Sequence, residues 1–330
     1  MILNNSYSGK DILITGGLGF IGSSLAISLV NSGANVTILD SMLPEFGGNW
    51  FNILSIRDRV KVNISDMRDQ HSLDVLVKDK SFIFHIAGQV SHGDSMRTPQ
   101  VDLGVNCIAT MNLVESCRRE NPEVKLVFTS TRQVYGIPSF VPVTEEHPTL
   151  PVDVNGINKL AAEYYHLLYD RVYDLRSVVL RLTNTYGPRQ QIRNNRQGFL
   201  GIFLRQSLTG ERIKVFGDGR QIRDFNYVDD VVDAILLSAS CSGCFGKVFN
   251  LGAKKTYSLI DVVEIISKIT NVKYDLVPFP EDKKLIDIGD YYGDYSKFHS
   301  HTGWNPKIDL QEGIALSLEF YQKNRKEYWI

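Results

Sequence analysis

A cluster of glycines between a strand-like run and a helix-like run restricts the fold of this chain more than any other feature. Residues 11–15 read Asp-Ile-Leu-Ile-Thr, and Gly16–Gly22 follows directly with four glycines in seven positions. An apolar helical pattern then continues to Val30, and a second strand pattern ends at Asp40. Glycines permit a tight turn and close contact between a strand and the helix that follows it. This part of the chain therefore predicts a β-α-β unit.

The alternation of strand patterns and helical patterns continues beyond this unit. Further apolar strand patterns cover residues 60–64, 82–86, 125–129 and 177–182. Helical patterns lie between them, for example over 104–120 and 156–171. Such alternation predicts an α/β protein with a Rossmann-type, doubly wound parallel sheet that helices cover on both faces.

The pattern changes after Pro188, where a basic loop rich in glutamine and asparagine precedes shorter elements. We expect a Rossmann domain over residues 1–184, to which the chain returns at about 226–252. We expect a smaller α/β carboxy-terminal part over 185–225 and 253–330. This part should lie across the carboxyl ends of the strands, which is where open α/β sheets bind their ligands.

Composition and charge exclude several classes of protein. The chain has 330 residues, 43% of them hydrophobic, and a net charge of −1, which gives no electrostatic basis for binding nucleic acid or an anionic membrane. The polar segment Met1–Lys10 lacks the apolar core of a signal peptide, and no run reaches the roughly 18 apolar residues of a membrane span. We therefore expect a cytoplasmic protein. Cys241 and Cys244 have zinc-knuckle spacing, but no second such pair exists, which favours a reduced loop over a metal site.

The glycine loop and Asp40 together predict a dinucleotide site. Backbone N–H groups at the start of a helix, together with the helix dipole, bind a pyrophosphate. A carboxylate at the end of the second strand accepts hydrogen bonds from a ribose diol and repels a 2′-phosphate. NAD is therefore favoured over NADP as the cofactor. A glycine-rich turn without a ligand is the alternative interpretation.

Four later segments carry a resemblance to a known family. They are Phe128–Gly136 (Phe-Thr-Ser-Thr-Arg-Gln-Val-Tyr-Gly), Asn155–Lys159 (Asn-Gly-Ile-Asn-Lys), Arg181–Pro188 (Arg-Leu-Thr-Asn-Thr-Tyr-Gly-Pro) and Phe216–Phe225 (Phe-Gly-Asp-Gly-Arg-Gln-Ile-Arg-Asp-Phe). With the glycine loop, they resemble the extended short-chain dehydrogenase/reductase family, the NAD-dependent epimerases and dehydratases of nucleotide sugars. The resemblance runs from Ile12 to about Tyr321. It implies a nucleotide-diphosphate sugar as the ligand and a homodimer formed by the helices near 104–120 and 156–171.

The resemblance also implies which residues hold NAD. Asp66 follows the third strand, where the family holds adenine, and Lys159 would bind the hydroxyls of the nicotinamide ribose. Asn106 matches a helix asparagine of the family, although an ordinary helix-surface residue is the alternative. The predicted cofactor residues are Gly16, Gly19, Phe20, Ile21, Gly22, Asp40, Ser41, Asp66, Met67, Ala87, Gly88, Gln89, Asn106, Lys159 and Leu182.

The chain departs from the family at the catalytic tyrosine, because Asn155 stands where relatives have Tyr in Tyr-x-x-x-Lys. The resemblance assigns Thr131 to hydrogen bond the sugar oxygen that becomes a carbonyl. An amide cannot accept the proton that the tyrosine phenolate takes. Three explanations remain open. His92 acts as the base instead, Thr131 and a water relay under Lys159 suffice, or the site binds without turnover; a histidine that merely lines the site or supports the fold is a further alternative.

The substrate side departs from the family as well. Relatives that are sugar 4,6-dehydratases carry Asp-Glu where this chain has Arg132 and Gln133, which cannot serve as an acid and a base. The resemblance places Arg223 on the diphosphate, whereas Asp287 occupies the position of a second phosphate arginine of many relatives. Arg189, Arg193 or Arg196 would compensate. The predicted substrate residues are Ser91, His92, Arg132, Gln133, Asn184, Arg189, Phe199, Leu200, Val215, Phe216, Arg223 and Asp290.

The sequence therefore predicts an NAD-dependent nucleotide-sugar epimerase that acts through a transient keto-sugar and regenerates NAD in each cycle. Thr131, Asn155, Lys159 and His92 are the predicted catalytic residues. An atypical dehydratase that avoids the usual acid and base is one alternative. A non-catalytic protein that binds NAD and a sugar nucleotide is the other.

Overall fold

The computed structural model describes residues 6–328, so the first five residues of the polar segment Met1–Lys10 lie outside the described residues. The strands are β1 (Asp11–Thr15), β2 (Asn35–Asp40), β3 (Val60–Ile64), β4 (Phe82–His85), β5 (Lys125–Thr131), β6 (Ser177–Leu182), β7 (Asn184–Tyr186), β8 (Ile213–Phe216), β9 (Ile222–Tyr227), β10 (Lys247–Asn250), β11 (Thr256–Ser258) and β12 (Tyr274–Val277). The α-helices are α1 (Phe20–Asn31), α2 (Gln70–Leu76), α3 (His92–Arg97), α4 (Pro99–Asp102), α5 (Ala109–Glu120), α6 (Val154–Tyr173), α7 (Phe199–Thr209), α8 (Val228–Ser240), α9 (Leu259–Thr270), α10 (Glu281–Lys284), α11 (Ser296–Thr302), α12 (Leu310–Lys323) and α13 (Arg325–Tyr328).

Seven parallel strands form the main sheet in the order β10-β6-β5-β4-β1-β2-β3. The chain runs outward from β1 through β2 and β3, and then returns to add β4 on the other side of β1. This reversal creates a crevice at the carboxyl ends of β1 and β4, the position at which doubly wound sheets bind ligands. The predicted α/β Rossmann fold is confirmed.

The segment after β7 builds smaller units beside this sheet. Strands β11, β9 and β7 form a three-stranded sheet, and β12 pairs with β8. Helices α7, α9 and α12 bury apolar side chains against them in a separate core that includes Leu204, Val215, Val262 and Ile314. The chain returns to the main sheet at β10, which pairs with β6. The division into domains at residue 184 stays a prediction.

Two predicted elements differ from the structure at their ends. The helix predicted from residue 104 begins as a π-helical segment, Leu103–Ile108, that continues α4 into α5. The side chain of Asn106 in this segment is buried rather than on the helix surface. Strand β5 extends two residues beyond the predicted 125–129, because Thr131 still pairs with Leu182 of β6. Within residues 6–328, no helix has both the length and the apolar character needed to cross a membrane.

Candidate active site

A cavity of about 510 Å³ lies at the carboxyl edge of the main sheet. The β1-α1 loop, the ends of β2, β4 and β5, the start of α6 and the start of α7 all contribute to its lining. The volume is in the range of small-molecule sites. The parallel arrangement of the strands explains this convergence, because parallel strands bring all their carboxyl ends to one edge.

The glycine loop at one end of the cavity allows no larger residue at two positions. Gly16 has a φ of +70°, and a Cβ there would lie 2.8 Å from the backbone of Ala87. A Cβ at Gly22 would overlap the carbonyl oxygen of Gly16 and lie 2.9 Å from Gly17 Cα. The loop therefore stays tight against the start of α1, whose N-cap residue Gly19 has no capping side chain. The first N–H groups of a helix lack partners inside the helix, so this cradle fits the pyrophosphate of NAD.

Asp40 ends β2 beside this loop. Its two carboxylate oxygens accept backbone hydrogen bonds from Leu18 at 2.9 Å and from Met42 at 2.8 Å. Burial raises the pKa of the Asp40 carboxyl, and the two backbone donors oppose that rise. These backbone hydrogen bonds fix the side chain. Each carboxylate oxygen retains a further lone pair, so Asp40 can still accept hydrogen bonds from ribose hydroxyls.

Lys159 and Asn106 approach the cavity from helical segments behind Gly88. Lys159 Nζ donates to the backbone oxygen of Thr129 at 3.2 Å, and Asn106 Nδ2 donates to that of Gln89 at 3.0 Å. A Cβ at Gly88 would lie 2.8 Å from Asn106 Oδ1 and 3.0 Å from Lys159 Nζ. Burial lowers the pKa of Lys159 to about 8, although nearby carboxylates oppose the shift. The site thus holds a cation whose charge is poorly solvated.

Asn155 belongs to a buried network and lines the cavity. Its Nδ2 donates to the backbone oxygen of Gln89 at 2.8 Å and to Asp102 Oδ2 at 3.1 Å. Asn158 Nδ2 donates to the other carboxylate oxygen of Asp102 at 2.8 Å. Asp102 is fully buried, so these two amides solvate its charge. Because the amide nitrogen of Asn155 is engaged, its oxygen is the group available to a ligand.

Thr131 and Arg132 lie side by side at the end of β5. Thr131 Oγ1 accepts a hydrogen bond from the backbone N–H of Gln133 at 3.2 Å. The Arg132 guanidinium lies 5.5 Å from the centre of the Tyr291 ring. Burial lowers the pKa of Arg132, and the carboxylate of Asp224 opposes this most strongly. Arg132 therefore adds a cation where the dehydratases that the sequence resembles have an acid.

His92 begins α3 and lines the cavity opposite the start of α6. Its Nδ1 lies 2.7 Å from Asp153 Oδ2, close enough for an ion pair, although the ring N–H direction is not aligned for a standard hydrogen bond. Asp153 caps α6, since its Oδ1 accepts from the N–H of Gly156 at 2.6 Å. Gln133 Nε2 donates to Asp153 Oδ2 at 3.0 Å. Burial raises the pKa of Asp153, but His92 and these donors outweigh burial and leave that pKa below its usual value.

The cavity brings most of the predicted residues together. Those that line it are Gly16, Gly19, Phe20, Ile21, Gly22, Asp40, Ser41, Asp66, Met67, Ala87, Gly88, Gln89, His92, Thr131, Arg132, Asn155, Lys159, Leu182, Asn184, Phe199 and Leu200. Those that lie outside its lining are Ser91, Asn106, Gln133, Arg189, Val215, Phe216, Arg223 and Asp290.

The predicted phosphate arginines have protein partners. Arg223 is 5% exposed, and its Nη1 donates to the backbone oxygens of Ile222 and Gly289. Arg189 Nε donates to Ser24 Oγ at 3.1 Å, and its side chain lines a smaller neighbouring cavity. Arg196 does line the main cavity and also lies 3.0 Å from Asp94.

Sequence reasoning missed Asp153, Asp102 and Asn158. Asp153 has a local signal, because an aspartate before an apolar helical run is a typical N-cap. That signal indicates where the helix begins but not that His92, from a distant segment, meets the same carboxylate. Asp102 has no local signal, since its partners Asn155 and Asn158 are more than fifty positions away.

Comparison with known families gives one match over most of the chain. The sequence model of the NAD dependent epimerase/dehydratase family matches residues 12–252. The UDP-glucose 4-epimerase of Mycolicibacterium smegmatis is 33% identical over 314 residues, which cover 94% of this chain and 98% of that protein.

Solved structures give the same result. UDP-glucose 4-epimerase from Thermotoga maritima, solved with UDP-glucose, superposes with a TM-score of 0.88 and 31% identity, covering 96% of this chain and 99% of that one. The dTDP-glucose 4,6-dehydratase of Bacillus anthracis, solved with NAD, superposes with a TM-score of 0.85 and 26% identity, covering 97% of this chain and 99% of that one.

Proposed function

Because the chain belongs to the NAD-dependent epimerase/dehydratase family, we propose that it is a nucleotide-sugar epimerase acting through a transient keto-sugar, with NAD regenerated in each cycle. The family resemblance that the sequence indicated is thereby confirmed, and NAD is the cofactor of this family. The observation that carries the proposal is the single cavity in which the glycine loop, Lys159, Thr131 and His92 meet.

The residues that would hold NAD occupy one end of that cavity. The β1-α1 loop would bind the pyrophosphate, Asp40 the adenosine ribose, and Lys159 the nicotinamide ribose. When bound, NAD supplies a hydride acceptor that returns the hydride within the same cycle. The Lys159 ammonium would keep the local potential positive, which favours removal of a hydroxyl proton nearby.

Oxidation of a sugar hydroxyl also requires a proton acceptor, and we assign this role to His92. Thr131 Oγ1 would hydrogen bond the sugar oxygen, and the Asn155 amide oxygen would orient a neighbouring hydroxyl. An imidazole nitrogen can take a proton and return it. Asn155 cannot do so, and Lys159 Nζ donates a hydrogen bond to the backbone oxygen of Thr129.

Epimerisation is favoured over dehydration by the residues at the end of β5. Elimination of water needs a general acid and a general base beside the sugar. Arg132 stays protonated near neutral pH, and the Gln133 amide does not titrate. Epimerisation needs only the reversible removal of one proton and one hydride. His92 would accept the proton and the cofactor would accept the hydride.

We also propose that the protein forms a homodimer through α6. Ile157, Tyr164, Leu168 and Val172 are exposed on this helix. Their spacing of seven, four and four residues places them on one face, and an apolar face of this kind favours association with a second copy. Light scattering during size-exclusion chromatography measures the mass; a monomer at micromolar concentration would contradict the proposal.

Incubation with NAD and a panel of UDP-, GDP-, CDP- and dTDP-sugars tests the function. Proton NMR and mass spectrometry should show an inverted stereocentre without a change in mass. Loss of one water would instead identify a dehydratase. If no sugar reacts while NAD and one nucleotide still raise the unfolding temperature, the protein binds without turnover and the proposal is wrong.

A further inference from the structure

We infer that Asp153 and Gln133 are positioning residues that hold His92 in the form able to accept a proton. This inference deepens the proposed function and rests on it. Both residues are nearly fully buried, at 2% and 4% exposure, whereas the His92 side chain is partly exposed to the cavity. Neither Asp153 nor Gln133 lines the cavity, so both act through His92.

The two carboxylate oxygens of Asp153 have different partners. Oδ1 caps helix α6 through the N–H of Gly156, which fixes the carboxylate to the helix that carries Asn155 and Lys159. Oδ2 lies 2.7 Å from His92 Nδ1. Although the ring N–H is not aligned for a standard hydrogen bond, a negative charge at that distance favours the tautomer with the proton on Nδ1, which leaves the lone pair on Nε2 free. It also stabilises the imidazolium that forms when Nε2 accepts a proton.

Gln133 links the Asp153 carboxylate to Thr131, the residue that is predicted to hydrogen bond the sugar hydroxyl. Its Nε2 donates to Asp153 Oδ2, and its backbone N–H donates to Thr131 Oγ1. Thr131 and His92 are therefore connected through two residues, which fixes the hydroxyl relative to the imidazole. A glutamate at 133, as in the dehydratases that the sequence resembles, would place a second carboxylate against Asp153. The glutamine and the histidine–aspartate pair thus belong to one arrangement.

Other charges near His92 have partners of their own. Asp94, on the same short helix, lies 3.0 Å from Arg196 and 3.2 Å from Arg97. Its charge is therefore balanced by two guanidinium groups. Asp153 remains the carboxylate that contacts the imidazole, and it lies in a buried position where electrostatic interactions are poorly screened.

The proton and electron balance of the oxidation step is complete with these groups. The O–H bond of the sugar would break and its proton would move to His92 Nε2, while NAD, held by the glycine loop, Asp40 and Lys159, would supply the acceptor for the C–H hydrogen as a hydride. A C=O bond forms, and no further reductant or oxidant is needed. The reverse step returns both hydrogens, so His92 ends the cycle neutral.

The variant Asp153→Asn tests the inference, because asparagine keeps the size and the capping ability of aspartate and removes the charge. We expect its kcat to fall by roughly a hundredfold or more, with KM and the stabilisation by NAD little changed. Nitrogen-15 NMR of the histidine rings should show the proton of His92 on Nδ1 in the natural protein and partly on Nε2 in the variant. Gln133→Met should give a smaller loss of kcat, of roughly tenfold.

Asp309→Asn is the matched control, since Asp309 caps α12 through the N–H three positions later, as Asp153 caps α6, and does not line the cavity. It should leave kcat and the His92 tautomer unchanged. If the natural protein epimerises a sugar and Asp153→Asn does so at the same rate, the positioning role is wrong while the function stands. If no sugar reacts with the natural protein, the proposed function is wrong. If the His92 tautomer is then also the same in Asp153→Asn as in the natural protein, the positioning role is wrong too.

Discussion

The two ends of the cavity differ in the kind of contact that fixes their geometry. At the cofactor end, backbone contacts decide the geometry: the glycine loop closes on Gly16, and two backbone N–H groups fix Asp40. At the substrate end, contacts between side chains decide the geometry. His92 meets Asp153, and Asn155 shares Asp102 with Asn158.

This difference explains where the chain departs from its family. Arg132, Gln133, Asn155 and Asp287 are the departures found in the sequence. Arg132 and Asn155 line the substrate end of the cavity, and Gln133 contacts Asp153 behind it. A side-chain network can be changed by replacing several partners together, whereas a backbone turn that excludes a Cβ has no such freedom. Gln133 and Asn155 make buried hydrogen bonds to the carboxylates of Asp153 and Asp102, which favours a remodelled active site over one that has lost its function.

The strongest test of the comparison is Gly22→Ala at the cofactor end. The new Cβ would overlap the backbone of Gly16, and backbone atoms cannot move aside as a side chain does. We expect the free energy of unfolding to fall by about 3 kcal/mol or more, and NAD to lose its stabilising effect. Thermal unfolding with and without NAD measures both quantities.

Gly93→Ala, in α3 at the substrate end, is the matched control. Apart from its chain neighbours and the backbone of its own helix, no described heavy atom lies within 4 Å of a Cβ at this position. The variant should keep its stability or gain up to about 1 kcal/mol, and it should still bind NAD. Equal losses in the two variants would mean that the cofactor end is not specially constrained by its backbone.

The sequence predicted the fold, and the signals of the residues assigned to NAD are local as well. Strand β2 and its terminal Asp40 follow the glycine loop at a spacing that is typical of a dinucleotide-binding β-α-β unit. At the substrate end the partners are distant in sequence. Asp153 is 61 positions from His92, so no local pattern reveals their contact. The inward position of Asn106 depends on a π-helical segment, which apolar periodicity does not predict.

The pH dependence of stability tests the buried charge at the cofactor end. Lys159 has a pKa of about 8 in the folded protein against 10.5 for an ordinary lysine. Between these values the unfolded chain binds more protons than the folded one, so stability rises with pH. Relative to Lys159→Met, the free energy of unfolding should rise by about 2 to 3 kcal/mol from pH 7 to pH 10. Urea unfolding of both proteins at several pH values measures it; a difference that does not change with pH would show that the lysine is well solvated.

The substrate end is tested by comparing Asn155→Leu with Asn158→Leu. Each variant removes one amide donor to the buried carboxylate of Asp102, so each should lower the free energy of unfolding by about 1 to 2 kcal/mol. Only Asn155 lines the cavity, so only Asn155→Leu should also lower kcat/KM for the sugar nucleotide. Urea unfolding and steady-state kinetics of the two variants separate the effects. If both variants lose activity equally, the amide at 155 acts only by supporting Asp102, and its place at the tyrosine position has no direct role toward the sugar.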